Sequence, residues 1–221
     1  MNSITEENYL KAIFKIIEKE NKAASTNAIS KEMQTSAASV TDMMQKLAAK
    51  ELINYRKYKG ASLSLEGNKL ATQLVRRHRL WEVFLVEQLK FKWDEVHELA
   101  EELEHINSIE LTNRLEAFLG YPKFDPHGDP IPNVDGKFTI RSQFPLSKIK
   151  KGDQCTVVGV REHSPSFLKF LDELQINLGT EIKILEIYEF ENSIKVKIDN
   201  DQENVLSNAV SQNIFVKEIH G

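Results

Sequence analysis

The chain has 221 residues, 41% hydrophobic and 28% charged, with a net charge of −4, 6 histidines and 1 cysteine. That is enough chain for one or two packed domains, and the composition excludes a collagen-like, low-complexity or disulfide-scaffolded protein. No apolar run reaches the roughly 18 residues of a membrane span, Met1–Glu7 lacks the pattern of a secretory signal, and lone Cys155 suits a reducing compartment, so a cytoplasmic location with no membrane partner is expected.

The net figure conceals two opposed blocks. Ser36–Leu80 carries nine bases and three acids, a balance of +6, and Trp81–Gly120 carries ten acids and three bases, a balance of −7. A basic block followed by an acidic one points to an anion-binding module joined to a cation-binding one.

In chain order, Thr5–Glu20 reads as an amphipathic helix, with Thr5 as its cap and Leu10, Ile13, Phe14 and Ile17 at helical spacing. Ser25 or Thr26 can cap a second helix through Met33, and Ser36 caps a third through Lys50, with Val40, Met43, Met44 and Leu47 facing inward. That order is a helix-turn-helix. Leu52–Arg56 and Ala61–Leu65 then read as strands around Lys57-Tyr58-Lys59-Gly60, a hairpin with cations and an aromatic at its tip, which makes the motif a winged helix. The exposed start of the third helix, Ser36, Ala37, Ala38, Ser39, Thr41, Asp42 and Lys46, is expected to face base edges in the major groove. Arg56, Lys57 and Lys59 are expected to hold phosphates.

Glu66-Gly67-Asn68 reads as a turn into a helix over Lys69–Gln88, followed by helices over Trp93–Asn107 and Ser108–Leu119. On the second of these, Asp94–His105 places His97, Glu101, Glu104 and His105 on one stripe beside Val96, Leu99, Ala100 and Leu103. Such a stripe is often only a solvated face, but two imidazoles and two carboxylates can also supply nitrogen and oxygen ligands to a first-row metal. His78 and Glu82, four apart, share a face of the preceding helix. The apolar surplus from Leu80 to Leu119 is consistent with a homodimer. Tyr121–Pro132 is a Pro-rich connector in which His127 reads as a solvent-facing loop histidine. From Phe144 the pattern turns to strands at Gln154–Val160, Glu181–Tyr188, Ser193–Ile198 and Asn213–Glu218, with a helix near Ser166–Leu174, as in a small SH3-like barrel.

This order resembles the diphtheria-toxin-repressor family of iron- and manganese-dependent transcriptional regulators. The most specific parts are Arg77-His78-Arg79-Leu80-Trp81-Glu82, then Val96-His97 through Glu104-His105, and Pro126-His127-Gly128-Asp129-Pro130-Ile131-Pro132. The resemblance implies a mainly α protein with a β C-terminal domain: a winged helix (1–71), a helical metal-binding and dimerisation domain (72–121), a linker (122–143) and an SH3-like domain (144–221). It implies metal ligands at Asn8, His78, Glu101, Glu104 and His105, an ancillary site at Glu82 and His97, and additional candidates at Glu162 and His163. The ligand set lacks sulfur, which favours Mn(II), with Fe(II) and other divalent first-row ions as further candidates. Lys11 stands where manganese sensors can have a carboxylate, which argues against a closely paired two-ion site. The implied function is a metal-dependent repressor of metal-uptake genes, with an operator and a second subunit as partners and no small-molecule substrate.

Two alternatives belong to other classes. Glu102-Leu103-Glu104-His105 contains the Glu-x-x-His spacing of di-metal carboxylate enzymes, but the chain offers no second such motif nearby. A metal-independent winged-helix regulator would explain the first 71 residues but not the His/Glu positions.

Overall fold

The computed structural model describes residues 3–199 and 202–218. Residues 1, 2, 200, 201 and 219–221, which belong to the expected first and last domains, lie outside them. The chain divides into two compact units. The first comprises Met1–His78, Glu101–Asn113 and Pro132–Phe138, and the second Arg79–Ala100, Arg114–Ile131 and Thr139–Gly221.

The first unit opens with α1 (Ile4–Glu20), α2 (Thr26–Glu32) and α3 (Ala37–Ala49), then β1 (Ile53–Arg56) and β2 (Gly60–Leu63). The cap of α1 is Ser3, not Thr5: Ser3 Oγ accepts from the Glu6 amide while the Glu6 carboxylate accepts from the Ser3 amide. This reciprocal box satisfies two otherwise orphaned donors, which a cap at Thr5 would not. Ser25 and Ser36 cap α2 and α3 as expected. Leu10, Ile13, Ile29, Val40, Met44 and Leu47 are fully or almost fully buried in one cluster, so α1 and α3 share a core. The hairpin pairs Ile53 with Leu63 and Arg56 with Gly60, and Ala24 makes an isolated antiparallel bridge to Ala61.

Helix α4 (Leu65–Glu87) begins four residues before the expected Lys69, absorbing the Glu66-Gly67-Asn68 turn. Gly67 permits this: a Cβ there would lie 1.9 Å from the Leu52 carbonyl oxygen, so glycine is what lets the helix start against the strand. Helix α5 (Val96–Leu103) is shorter than the expected Trp93–Asn107, and α6 runs Ile109–Phe118. Glu104 and His105 therefore lie in the turn after α5, not on its surface stripe.

The second unit contains a six-stranded sheet in the order β3-β8-β4-β5-β6-β7, from β3 (Phe144–Pro145), β4 (Gln154–Val160), β5 (Glu181–Tyr188), β6 (Ser193–Ile198), β7 (Gln202–Leu206) and β8 (Ile214–Glu218). Neighbouring strands run antiparallel, with register shifts at Val157/Gly159 and Ile184/Glu186. Helices α7 (Pro165–Glu173) and α8 (Asn208–Ser211) accompany them. Val157, Leu168, Leu171, Ile182, Ile184, Val196 and Val216 form the core. A smaller cluster of Leu80, Val83, Leu115 and Ile131 ties the Pro-rich connector to the helices of this unit. Among the described residues, no helix is long and apolar enough to cross a membrane.

Candidate metal centres and nucleic-acid face

In the first unit the structure gathers His78, Glu101, Glu104 and His105 around α1. Glu104 is completely buried. Its carbonyl oxygen accepts from Arg77 Nε at 2.6 Å, which holds the turn after α5 against α4. The two carboxylate oxygens of Glu104 have different surroundings. Oε2 is 2.6 Å from His78 Nδ1 and 2.5 Å from Lys11 Nζ. Oε1 is buried without a hydrogen-bond partner, as is Asn8 Oδ1. Lys11 Nζ also donates to Glu101 Oε1 at 2.7 Å and lies 3.1 Å from His78 Nδ1. Burial opposes the Glu101 charge, but the charge and hydrogen bond of Lys11 prevail and lower its pKa to about 2.

His105 Nδ1 is 2.8 Å from Glu7 Oε2. An ionised carboxylate only accepts, so Nδ1 donates to it and Nε2 is the ring nitrogen left facing the cluster. That Nε2 is 3.9 Å from Glu104 Oε1. An oriented imidazole and two orphaned buried oxygens fit a cation, because each unsatisfied acceptor is costly to bury alone. The set is amide oxygen, carboxylate oxygen and imidazole nitrogen, with no sulfur.

A second cluster lies in the second unit. One ligand atom from each of Glu82, Asp125 and His127 falls within 4.8 Å of the other two. His127 is 2% exposed, so it is not a solvent-facing loop histidine. Its burial follows from the local turn: Asp125 Oδ1 accepts from the amides of His127 and Asp129 at 2.9 and 3.0 Å. Arg79 holds the same turn, donating to the Pro130 carbonyl and to Asp129 Oδ2. His127 Nε2 donates to the Trp93 carbonyl at 2.9 Å, leaving Nδ1 turned toward Glu82 Oε1 at 3.8 Å. Burial works against the His127 cation, but the hydrogen bond and charge of Glu82 and the charge of Asp125 outweigh it and raise its pKa to about 9. Burial pushes the Asp125 carboxyl up, and the charges of Asp129 and Glu82 add to that. Two buried carboxylates beside an oriented imidazole again fit a cation.

Of the remaining candidates, His97 Nδ1 lies 3.6 Å from Glu82 Oε1, with its side chain 46% exposed. The His163 ring stacks on His127 with centroids 4.9 Å apart, and burial lowers its pKa. Glu162 accepts from the Ser164 amide at the start of α7. Glu7, Asp125 and His127 were not among the expected site residues. The last two had a signal in Asp125-Pro126-His127-Gly128, an Asx turn followed by a glycine at φ +88°.

Of the residues expected to contact DNA, Ser36, Ala37, Ala38, Ser39 and Asp42 are exposed at the start of α3. Thr41 is half-buried and its hydroxyl donates to the Ala37 carbonyl, which takes up its donor. Lys46 is 3.1 Å from Glu6 Oε1 and so is shared with the helix cap. Arg56, Lys57 and Lys59 are exposed around the wing tip, where Tyr58 is 94% exposed.

Comparison with known proteins matches three successive segments of the chain. Residues 1–61 match the N-terminal DNA-binding domain of iron-dependent repressors, 64–133 their metal-binding and dimerisation domain, and 144–218 the FeoA domain. A probable metal transport system membrane protein of Chlamydia trachomatis is 49% identical over 71 residues, 32% of this chain. The diphtheria toxin repressor of Corynebacterium jeikeium is 30% identical over 131 residues, 59% of this chain. The chain spans 16% and 54% of the lengths of those two relatives. The solved structure of a manganese-dependent transcriptional repressor in complex with manganese is 34% identical, with a TM-score of 0.86, covering 97% of this chain and 100% of that one.

Proposed function

The chain belongs to the iron-dependent repressor family, a family of DNA-binding regulators and not of enzymes, and from that premise we propose that it is a homodimeric, cytoplasmic repressor of metal-uptake genes activated by Mn(II). The carrying observation is the paired orientation of His105 and His127. Each has its other ring nitrogen committed to an acceptor, Glu7 or the Trp93 carbonyl, and presents the remaining nitrogen to a buried carboxylate. Asn8, Glu104 and His105 would hold one ion, with Glu101 and His78 beside them. Glu82, Asp125 and His127 would hold another, with His97 and His163 adjoining. The oxygen-and-nitrogen donor sets favour Mn(II), with Fe(II) the next candidate.

A divalent ion bound in the first unit would supply charge to the orphaned oxygens of Asn8 and Glu104. The protein's own part is mechanical. Asn8 is on α1, which shares a core with α3, while Glu104 and His105 follow α5. Joining them fixes the pose of α3 against the helical half of its own unit. In a dimer that pose sets whether the two α3 helices enter successive major grooves about 34 Å apart. Ser36, Ala37, Ala38, Ser39 and Asp42 then face base edges, and Arg56, Lys57 and Lys59 face phosphates. Metal and operator affinities must be coupled reciprocally, by about 1–3 kcal/mol in typical cases.

The test is fluorescence anisotropy of a labelled duplex pool at fixed salt, with chelated protein and with Mn(II), Fe(II) or Zn(II). Binding that tightens about 5–150-fold with metal, most with Mn(II), is expected. Equal binding with chelator would overturn metal activation, and a stronger response to Fe(II) would overturn the Mn(II) assignment.

A further inference from the structure

Lys11 is 3% exposed, and its ammonium is surrounded by metal-type donors: Glu104 Oε2 at 2.5 Å, Glu101 Oε1 at 2.7 Å and His78 Nδ1 at 3.1 Å. A buried lysine is costly unless fully paired, and here all of its close partners are groups that would otherwise ligate a metal. Glu104 is thereby divided, Oε2 shared by the ammonium and the His78 ring and Oε1 remaining without a hydrogen bond beside His105. Glu7, Asn8 and Lys11 occupy positions i, i+1 and i+4 of α1, so one helix face delivers the His105 orienter, an orphaned amide oxygen and the ammonium together.

We propose that Lys11 is a built-in cation standing in for a second metal ion, so that this cluster accepts a single ion, seated on Asn8, Glu104 and His105. The proposal rests on the reading of the cluster as a metal centre. Paired ions in a shared carboxylate site sit roughly 3.5–4 Å apart and each needs donors at about 2.0–2.2 Å. An ion on Glu104 Oε2, Glu101 Oε1 and His78 Nδ1 would have to occupy the volume of Nζ itself. The lysine also has a consequence in the absence of metal. It already ties α1 to Glu101, Glu104 and His78, and it neutralises part of their charge. The ion therefore completes a joint that the lysine has begun, and the stoichiometry is limited by sequence position 11.

Position 11 can be tested by counting ions in the full-length chain carrying E82Q and H127A, which remove the cluster of the second unit. Equilibrium dialysis against Mn(II) is expected to give one ion per chain in this parent, none with H105A added, and two with K11E added. Electron paramagnetic resonance should show an isolated Mn(II) spectrum in the parent and a spin-coupled pair with K11E. A parent that already binds a coupled pair overturns the proposal, as does K11E remaining at one ion while H105A abolishes binding. A parent that binds no ion, or one unaffected by H105A, overturns the metal-centre reading itself. If K11E does not fold, the unmodified chain at saturating Mn(II) decides: uncoupled spectra support the proposal, and a coupled pair refutes it.

Discussion

Gly128 follows His127 directly, and substituting it separates the second cluster from the first. Gly128 has φ +88°, and a Cβ there would lie 2.2 Å from the Val158 carbonyl oxygen and 2.4 Å from the Gly159 Cα. Both obstacles are backbone of β4, which is pinned on both sides by β5 and β8. The turn must therefore retreat by roughly 1 Å to reach ordinary contact. That retreat strains two bonds of the turn, one to β4 from the Val160 amide to the His127 carbonyl at 2.9 Å, and one from Arg141 Nη2 to the Gly128 carbonyl at 2.8 Å. Left-handed backbone costs an L-residue about 1 kcal/mol or more, and the displaced contacts add about 1–3 kcal/mol. Gly128→Ala should destabilise the chain by about 2–4 kcal/mol.

The functional consequence is sharper than the stability loss. A shift of that size misplaces His127 Nδ1 relative to Glu82 and Asp125. Disturbing groups that orient metal ligands typically lowers affinity about 10–100-fold. Isothermal titration with Mn(II) should lose or weaken one binding phase by that factor and keep the phase belonging to Glu104 and His105. Gly120→Ala is the control: its φ is +74°, but a Cβ there meets nothing within 4 Å. It should cost only the backbone strain, about 1 kcal/mol, and leave both phases intact. Equal effects of the two substitutions on the titration would refute the idea that the β4 contact positions His127.

Three further outcomes are expected. Glu6 is lowered to about 2 by its hydrogen bonds from Lys50 and the Ser3 amide and by Lys46, so its ionised form stabilises the fold fully above the unfolded value near 4.5 and progressively less down to about 2. The two lysines are 55% and 40% exposed, which screens the gain to about 1–2 kcal/mol. The melting-temperature gap between wild type and Glu6→Gln should be open near pH 6 and narrow steadily below about pH 4.5, and a gap constant to about pH 3 would refute this. Replacing Lys57 and Lys59 by Ala should reduce the slope of log affinity against log salt by roughly one per lysine per subunit, with Mn(II) binding unchanged. Asn8→Asp should tighten Mn(II) in the first-unit cluster about tenfold and Asn8→Ala should loosen it; two dissociation constants equal to wild type would remove Asn8 from the centre.

Much of the architecture was legible because its signals are local. Helical spacing and serine caps marked α2 and α3, and the alternation of β5 and β6 gave their boundaries residue for residue. The elements that spacing does not predict have weak local signals. Strand β7, Gln202–Leu206, is the far edge of the sheet and mostly polar, since an edge strand can keep polar, partly solvated positions. The start of α4 was hidden because Gly67 is a turn signal in the sequence and a packing requirement in the fold.

The two His/carboxylate clusters show the limit of helical spacing more clearly. Helical periodicity put His97, Glu101, Glu104 and His105 on one stripe. The folded chain ends α5 at Leu103 and gives the four side chains companions from elsewhere in the chain: Glu82 for His97, Lys11 for both glutamates and Glu7 for His105. Every one of those companions is at least 15 positions away in the chain or on another helix, so periodicity carries no information about them. The same holds for the property that makes an imidazole a ligand. Which nitrogen of His105 faces Glu104 depends on Glu7, and which nitrogen of His127 faces Glu82 depends on the Trp93 carbonyl. A sequence names the donors, but tautomer and orientation are tertiary facts, and the difference between a solvated acidic helix and an ion-binding centre lies in those facts.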